Sequence, residues 1–376
     1  MIAIVAFTAG VCFAAPTVTD VTAMQPYPWE NKVYITYKIV GDIAANVESS
    51  EAPILKITAK DKTTGQIYAE TFGSYLSGDT GVAAGVHKVV WDIGAQGVKI
   101  NSGKVVFMVQ YYNGYLVIDL SAGANASSYP VVYLVGAPAG GWTDDYKTNK
   151  LVLRRIPAGK FKMQNESNVT LTRSFYMGVF EVTQKQYQLV MGTNPSGFSG
   201  DLLPVDKVSY SMIRGSVAGA GWPSSSAVDS DSFLGKLRAR TGLDFDLPTE
   251  AQWEYACRAG TTTTYYWGNS MDSNYAWIRD NSSKTTHMVG TKTPNAWGLY
   301  DMSGNVFEFC LDWYSKNLAY GTDPKGPSSG DEGDYSFRVL RGGHWNSPMN
   351  SSFCTSSGRA QSGTGGFRLV QTLSNE

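Results

Sequence analysis

The stretch NAWGLYDMSGNVFEFCLDW, Asn295–Trp313, decides how the rest of the chain is read. Aromatic anchors and glycine turns alternate there with acidic residues. Asp301 and Glu308 are the only carboxylates between Trp297 and Phe309. Gly304-Asn305 between them spells a tight turn, because glycine tolerates positive φ and asparagine favours turns. Such a turn aims backbone carbonyls and both carboxylates at one small volume, the kind of oxygen cage that hard cations take. A plainer reading has Asp301 capping a turn, Glu308 paired with an arginine, and no ion. Spacing alone favours the plainer reading, since a partial calcium loop is a weak signal.

Working upstream, three helices are expected. Thr183 with Gln186 has capping-box spacing and Gly192 suits the C′ position. Ser230–Arg240 is a second, stopped by Gly242. A third starts at Thr249, again with a glutamine three residues on (Gln252), and ends at Gly260. On it Trp253, Ala256 and Cys257 share one face, which turns Cys257 into the core. Leu151–Met163 reads as a hairpin and Leu171–Phe180 as another strand. Beyond Gly260 loops dominate, held by aromatic side chains. Trp222-Pro223 and the serine-rich run after it read either as a partner contact or as a plain loop.

The N-terminal third differs. Lys32–Val40 alternates, with Val33, Ile35, Tyr37 and Ile39 on one face, as a half-buried strand does. Ile54–Ala59, Ile67–Phe72, Val86–Ile93 and Val105–Tyr112 are similar, with turn signals between them. Short strands at that spacing point to an antiparallel sandwich of immunoglobulin or fibronectin type over residues 16–114, with Trp91 as a core anchor. His87 reads as a lone surface residue. Tyr115–Lys150 reads as a connector, residues 115–150, and a second domain follows over 151–376.

The 376 residues are 43% hydrophobic and 17% charged, with formal net charge −1. That balance gives no electrostatic case for nucleic acid or an anionic membrane. Met1–Ala15 is an apolar run ending in small residues, expected to be a secretory signal cut near Ala14 or Ala15, although it has no basic n-region. A lipid anchor at Cys12 is disfavoured by bulky Val11 before it. No later stretch is long and apolar enough to span a bilayer. Secreted, periplasmic or cell-surface placement follows. Cys257, Cys310 and Cys354 then remain, so at most one internal bridge forms.

GLYDMSGNVFEF resembles a signature of the formylglycine-generating enzyme, or sulfatase-modifying-factor, domain family. FEVTQKQYQLVM (from Phe180), NPSGF (from Asn194), PVDKVSY (from Pro204), DLPTEAQWEYACRAG (from Asp246), RVLRGGHW (from Arg338) and GGFRLV (from Gly365) continue the resemblance in the family's order. It implies a loop-rich α+β domain, a variant of the C-type lectin fold, behind the all-β sandwich. It also implies chemistry. Enzymes of the family oxidise a sulfatase cysteine to formylglycine, using copper(I) held by two cysteines after the RGG block. Here the first of those positions is Ser347, four residues after Gly343, and the second falls near Ser352. Cys354 is displaced by two residues. A hydroxyl is a poor copper(I) ligand, and one thiol makes no dithiolate site. His344 beside Cys354 is the substitute ligand to weigh. Serine catalysis has only His287 and His344 as bases for Ser347 or Ser352, without a triad-like setting.

For calcium the resemblance places the ligands on Asp301, Gly304, Val306 and Glu308. A second calcium site of the family has Trp277 where an asparagine is needed. Cys257 matches a cysteine bridged in animal members, whose partner position is Ser356 here. Cys257–Cys354, Cys257–Cys310 and three inert buried thiols all stay open.

The expected function is therefore a secreted, non-catalytic binding protein. Its C-terminal segment, with His344, Trp345, Asn346, Ser347, Asn350, Ser352, Thr355 and Ser357, would meet an extracellular protein or glycan ligand. Small polar residues of this kind give adaptable hydrogen bonds, as in antibody paratopes. A variable protein diversified by a retroelement is one form of this reading. The alternative is the copper-dependent oxidase. An iron enzyme on the same fold ranks last, with three histidines far apart in the chain.

Overall fold

The structure is a computed structural model. It describes residues 17–25, 31–40, 54–64, 67–72, 75–79, 85–97, 105–112, 114–134, 136–138, 140–317, 319–330, 337–348, 358–359 and 365–373. The expected signal segment lies outside them. The chain divides into two compact units. One draws on residues up to Tyr115 and on Val132–Gly141; the other on Leu116–Val131 and Trp142–Ser374.

The first unit is the expected pair of antiparallel sheets. Thr17–Met24, Lys32–Val40, Gly85–Asp92 and Leu76–Gly78 lie side by side in that order, and Ile54–Asp61 sits between Ile67–Phe72 and Val105–Tyr112. The alternation in Lys32–Val40 puts Val33, Ile35, Tyr37 and Ile39 in the core, where Trp91 is fully buried. Its indole donates to Gln96 at 2.8 Å and meets Phe107 edge-on. The reading of His87 as a surface residue is corrected. His87 is buried, stacked on Tyr37 at 5.4 Å between ring centroids, with Nδ1 3.0 Å from an Asp79 carboxylate oxygen. The cross-strand pairing Tyr37↔His87 causes this, and it is invisible within either strand alone.

In the second unit a sheet runs Phe245–Asp246, Val370–Thr372, Phe175–Gly178, Lys150–Ile156 and then Tyr115–Asp119. The stretch read as a connector thus holds a strand, Tyr115–Asp119, that is nearly all buried. The hairpin expected over Leu151–Met163 is also corrected. Lys150–Ile156 pairs with Phe175–Gly178, whereas Gly159–Met163 pairs with Ser167–Leu171. Pro157 breaks the run because it has no N–H to give a ladder. Gln164 and Asn165, both at positive φ, make the true hairpin turn.

The helices follow their signals. Gln184–Met191 carries a full capping box at Thr183 and Gln186 and ends on left-handed Gly192. Phe233–Thr241 starts at Ser232 and ends at Gly242. Glu250–Arg258 has the second capping box, Thr249 with Gln252, and turns off at left-handed Ala259. A short helix, Tyr210–Arg214, capped by Ser209, was not expected from the sequence. After Arg258 only short strands occur among the described residues: Glu308–Trp313, Gly321–Thr322, Arg338–Arg341, Gly358–Arg359 and Val370–Thr372. The domain is loop-rich α+β, as expected.

Every residue of Glu250–Arg258 is buried. Trp253, Ala256 and Cys257 join the core with Phe175, Met302 and Cys310. A helix buried on all sides must neutralise its charges, because an unpaired ion in the interior is costly. Glu254 accepts from Arg258 Nε at 2.8 Å, from the Gln164 N–H at 2.6 Å and from Arg341. Cys257 and Cys310 are free thiols, so the Cys257–Cys310 bridge does not form. The Cys257 sulfur instead faces the Met302 carbonyl at 3.7 Å. Cys354 lies outside the described residues.

Candidate functional site

The Gly304-Asn305 turn is the hub of the loop layer. Asp301, Gly304 and Asn305 have φ of 56°, 84° and 57°. A Cβ on Gly304 would collide with the Trp277 backbone, so the turn needs glycine for closeness as well as for φ. Gly304 N–H donates to Gly342 O and Asn305 N–H to Trp277 O, each at 2.8 Å. The Asn305 amide donates to Glu181 Oε2 at 2.7 Å and to His287 O at 3.2 Å, and accepts from the His287 N–H at 2.9 Å. Its own carbonyl accepts from Trp345 N–H at 2.8 Å. One asparagine therefore ties the turn to the start of the C-terminal segment.

Three carboxylates are buried beside it. Glu308 pairs with an arginine, as the plainer reading had it. Arg368 Nε and Nη2 each lie 2.6 Å from its two oxygens, and Trp253 Nε1 donates to Oε2 at 2.7 Å. Glu181 was not singled out from sequence. Its oxygens accept from Asn305 and, at 3.2 Å, from Val306 N–H. Burial, and then the charges of Asp301 and Glu308, push its pKa well up. Asp301 accepts from Gly290 N–H at 2.6 Å through Oδ2, while its Oδ1 has no hydrogen-bond partner among the described residues. Burial raises its pKa to about 6.

These positions test calcium. The orphan Asp301 Oδ1 suits a cation. Glu308 does not, because both of its oxygens already hold Arg368. Among the described residues no group of three or more His, Cys, Asp or Glu side chains is placed around a metal. In the set Asp301, Gly304, Val306 and Glu308, the Glu308 side chain is therefore taken by Arg368, and Asp301 is the carboxylate left open.

An Asp301 that titrates near 6 in the folded state and near 3.9 unfolded favours folding below about pH 4 relative to its charged form, and that advantage is lost as pH rises through 6. Asp301→Asn in EDTA should therefore raise stability at pH 8 by about 1–3 kcal/mol, with the gain gone at pH 4. Thermal melts at the two pH values check this; a variant that is less stable at pH 8 contradicts it.

Of the residues expected to bind a ligand, His344, Trp345, Asn346 and Ser347 are described, while Asn350, Ser352, Thr355 and Ser357 lie outside the described residues. The structure brings His344 and Ser347 together more closely than the sequence reading allowed. Ser347 Oγ is 2.6 Å from His344 Nδ1 and accepts the His344 N–H at 3.1 Å. Burial, then nearby Arg279, lowers the His344 pKa and favours the neutral imidazole. The ring stacks on Phe307 at 4.6 Å. Among the described residues no carboxylate hydrogen-bonds that imidazole, so the third member of a triad is missing. The pair works as a loop lock. Arg279 reinforces it, its N–H donating to Ser347 O at 3.1 Å and its Nε to Asn346 O at 3.2 Å. Ser282 Oγ donates to Trp345 O, and Phe198 packs edge-on against Trp345. His287, the other candidate base, stacks on Trp277 at 3.7 Å and faces the Ser282 carbonyl.

The family model of the sulfatase-modifying factor enzyme 1-like domain matches residues 144–373, and the chain belongs to that family. Among its relatives is the chaperone protein LppX of Paenibacillus barcinonensis, 30% identical over 235 residues, or 52% of this chain and 79% of that protein. The formylglycine-generating enzyme of Streptomyces coelicolor is 35% identical over 116 residues, 26% of this chain and 35% of the enzyme. The chain thus spans about a third of that enzyme's length. Among solved structures, Treponema denticola variable protein 1 superposes with a TM-score of 0.45 at 28% identity, covering 59% of this chain and 95% of that one.

Proposed function

We propose that this is an exported, non-catalytic member of the family that binds a ligand through its C-terminal segment. The observation that carries the reading is Ser347. It stands where the resemblance places a copper-binding cysteine, and its hydroxyl is engaged by His344 instead. The two free thiols among the described residues, Cys257 and Cys310, are buried core groups. Burial pushes the Cys310 thiol well up, away from the thiolate that a soft metal needs. The lock at His344–Ser347 holds the described start of the C-terminal segment in place. The ligand is an extracellular protein or glycan. Diversification by a retroelement is one form of this function, and an imperfect copy of the segment's codons, differing mainly at adenines, should then lie near the gene.

Binding is tested by immobilising the full chain against arrayed extracellular proteins and glycans. A partner retained by the wild type should be lost when Asn350, Ser352, Thr355 and Ser357 are all changed to Ala. A partner that binds both alike would place the site elsewhere.

Calcium belongs to this proposal with Asp301 as its open carboxylate, beside the Gly304 and Val306 carbonyls that the resemblance assigns. One ion bound there at about ten times its Kd should add roughly 1.4 kcal/mol, a melting shift of a few degrees over EDTA, and Asp301→Asn should abolish it. No shift removes calcium from the account. Among the described residues no helix is long and apolar enough to cross a membrane.

A further inference from the structure

A cavity of about 380 Å³ opens in the second unit beside Trp222, and none of its lining residues belongs to the Asn305 cluster. That volume lies within the range of small-molecule sites. Its walls are fixed in place. Trp222 Nε1 donates to Lys325 O at 3.0 Å, and Trp313 Nε1 donates to Trp222 O at 3.1 Å. The Arg338 guanidinium lies 3.3 Å from the Trp313 ring centroid. Asp323 accepts the Thr172 N–H at 2.9 Å and the Thr172 hydroxyl, which brings Arg173 and Lys325 to the same rim. Gln252 Nε2 donates to Thr372 Oγ1 at 3.1 Å.

The lining carries both signs of charge: Arg173, Arg238 and Lys325 with Asp244, Asp246 and Asp323. Asp246 is already forked by Arg214, at 2.7 and 3.0 Å, and touched by Arg238 at 3.1 Å. Arg173 and Asp244 are exposed and, among the described residues, in no ion pair. Lining cations and carboxylates are equal in number, and buried Arg214 behind Asp246 adds one cation, so a small anion is the competing ligand. A hydroxyl both donates and accepts, so a run of neighbouring hydroxyls matches donors and acceptors set side by side. Leu247, Leu311, Val370 and the largely buried Trp222 give the cavity apolar lining.

We propose that this cavity is a second binding site, for a small neutral saccharide of roughly one or two rings. It takes its ligand without a metal and independently of the C-terminal segment. Arg173 donates to ring hydroxyls and Asp244 accepts from them.

The test is saturation-transfer NMR and calorimetry on the full chain in EDTA. The probes are the methyl glycosides of glucose, galactose, mannose and N-acetylglucosamine, together with cellobiose, with phenylacetate as an anionic control. At least one saccharide should bind with Kd of about 1 mM or tighter. Asp244→Asn and Arg173→Gln, both exposed and in no ion pair, should each weaken it about tenfold at unchanged melting temperature. Absence of saturable saccharide binding up to about 20 mM overturns the proposal, since that is weaker than any useful site of this size. So does binding that survives both variants, or phenylacetate binding more tightly than every saccharide.

Discussion

Glu308→Ala lowers stability by about 3–5 kcal/mol, because it strands a fully buried guanidinium. Arg368 would keep the Gly178 carbonyl at 2.9 Å and the Tyr300 carbonyl at 3.0 Å, but neither carries a full charge. The Trp253 N–H would lose its acceptor as well. In a domain of this size the loss is a fall in melting temperature of about 10 °C. Exchanging both partners for apolar residues should recover much of it, because the pair's desolvation penalty goes with the charges. A double variant no better than Glu308→Ala, or a single variant within about 1 kcal/mol of wild type, contradicts this picture.

Glu254→Ala should cost at least as much, about 4–5 kcal/mol, since one carboxylate serves two buried arginines. Arg258 would be left with the Thr263 carbonyl at 3.3 Å. Arg341 would lose its closest carboxylate, the next one being Glu250 at 3.9 Å. The Gln164 N–H that fixes the adjoining hairpin turn would also lose its acceptor. Urea unfolding measures the loss; an unchanged midpoint would mean that Glu254 is not the shared counter-ion.

These two carboxylates show where sequence reading stopped. The capping boxes at Thr183 and Thr249 were legible because a cap and its glutamine are three residues apart and need nothing else from the fold. The strands of the first unit were legible by their period. Glu308 was marked, and a partner arginine was weighed for it, yet which arginine was not readable, because Arg368 lies 60 positions away. Glu181 stood within a quoted block, and nothing local announces that it closes on Asn305. His87 was misplaced for the same reason, its partners Tyr37 and Asp79 being cross-strand neighbours. The His344–Ser347 lock was within reach. The two are three residues apart, a spacing at which a side chain can close a turn on its neighbour.

The hydroxyl at position 347 separates a binding protein from the copper oxidase. The direct measurement is to incubate the purified chain with copper(I), oxygen and a peptide bearing the sulfatase cysteine motif, then look for aldehyde by mass spectrometry. The expected result is no aldehyde above a Cys354→Ala control. Aldehyde well above that control would contradict a non-catalytic protein.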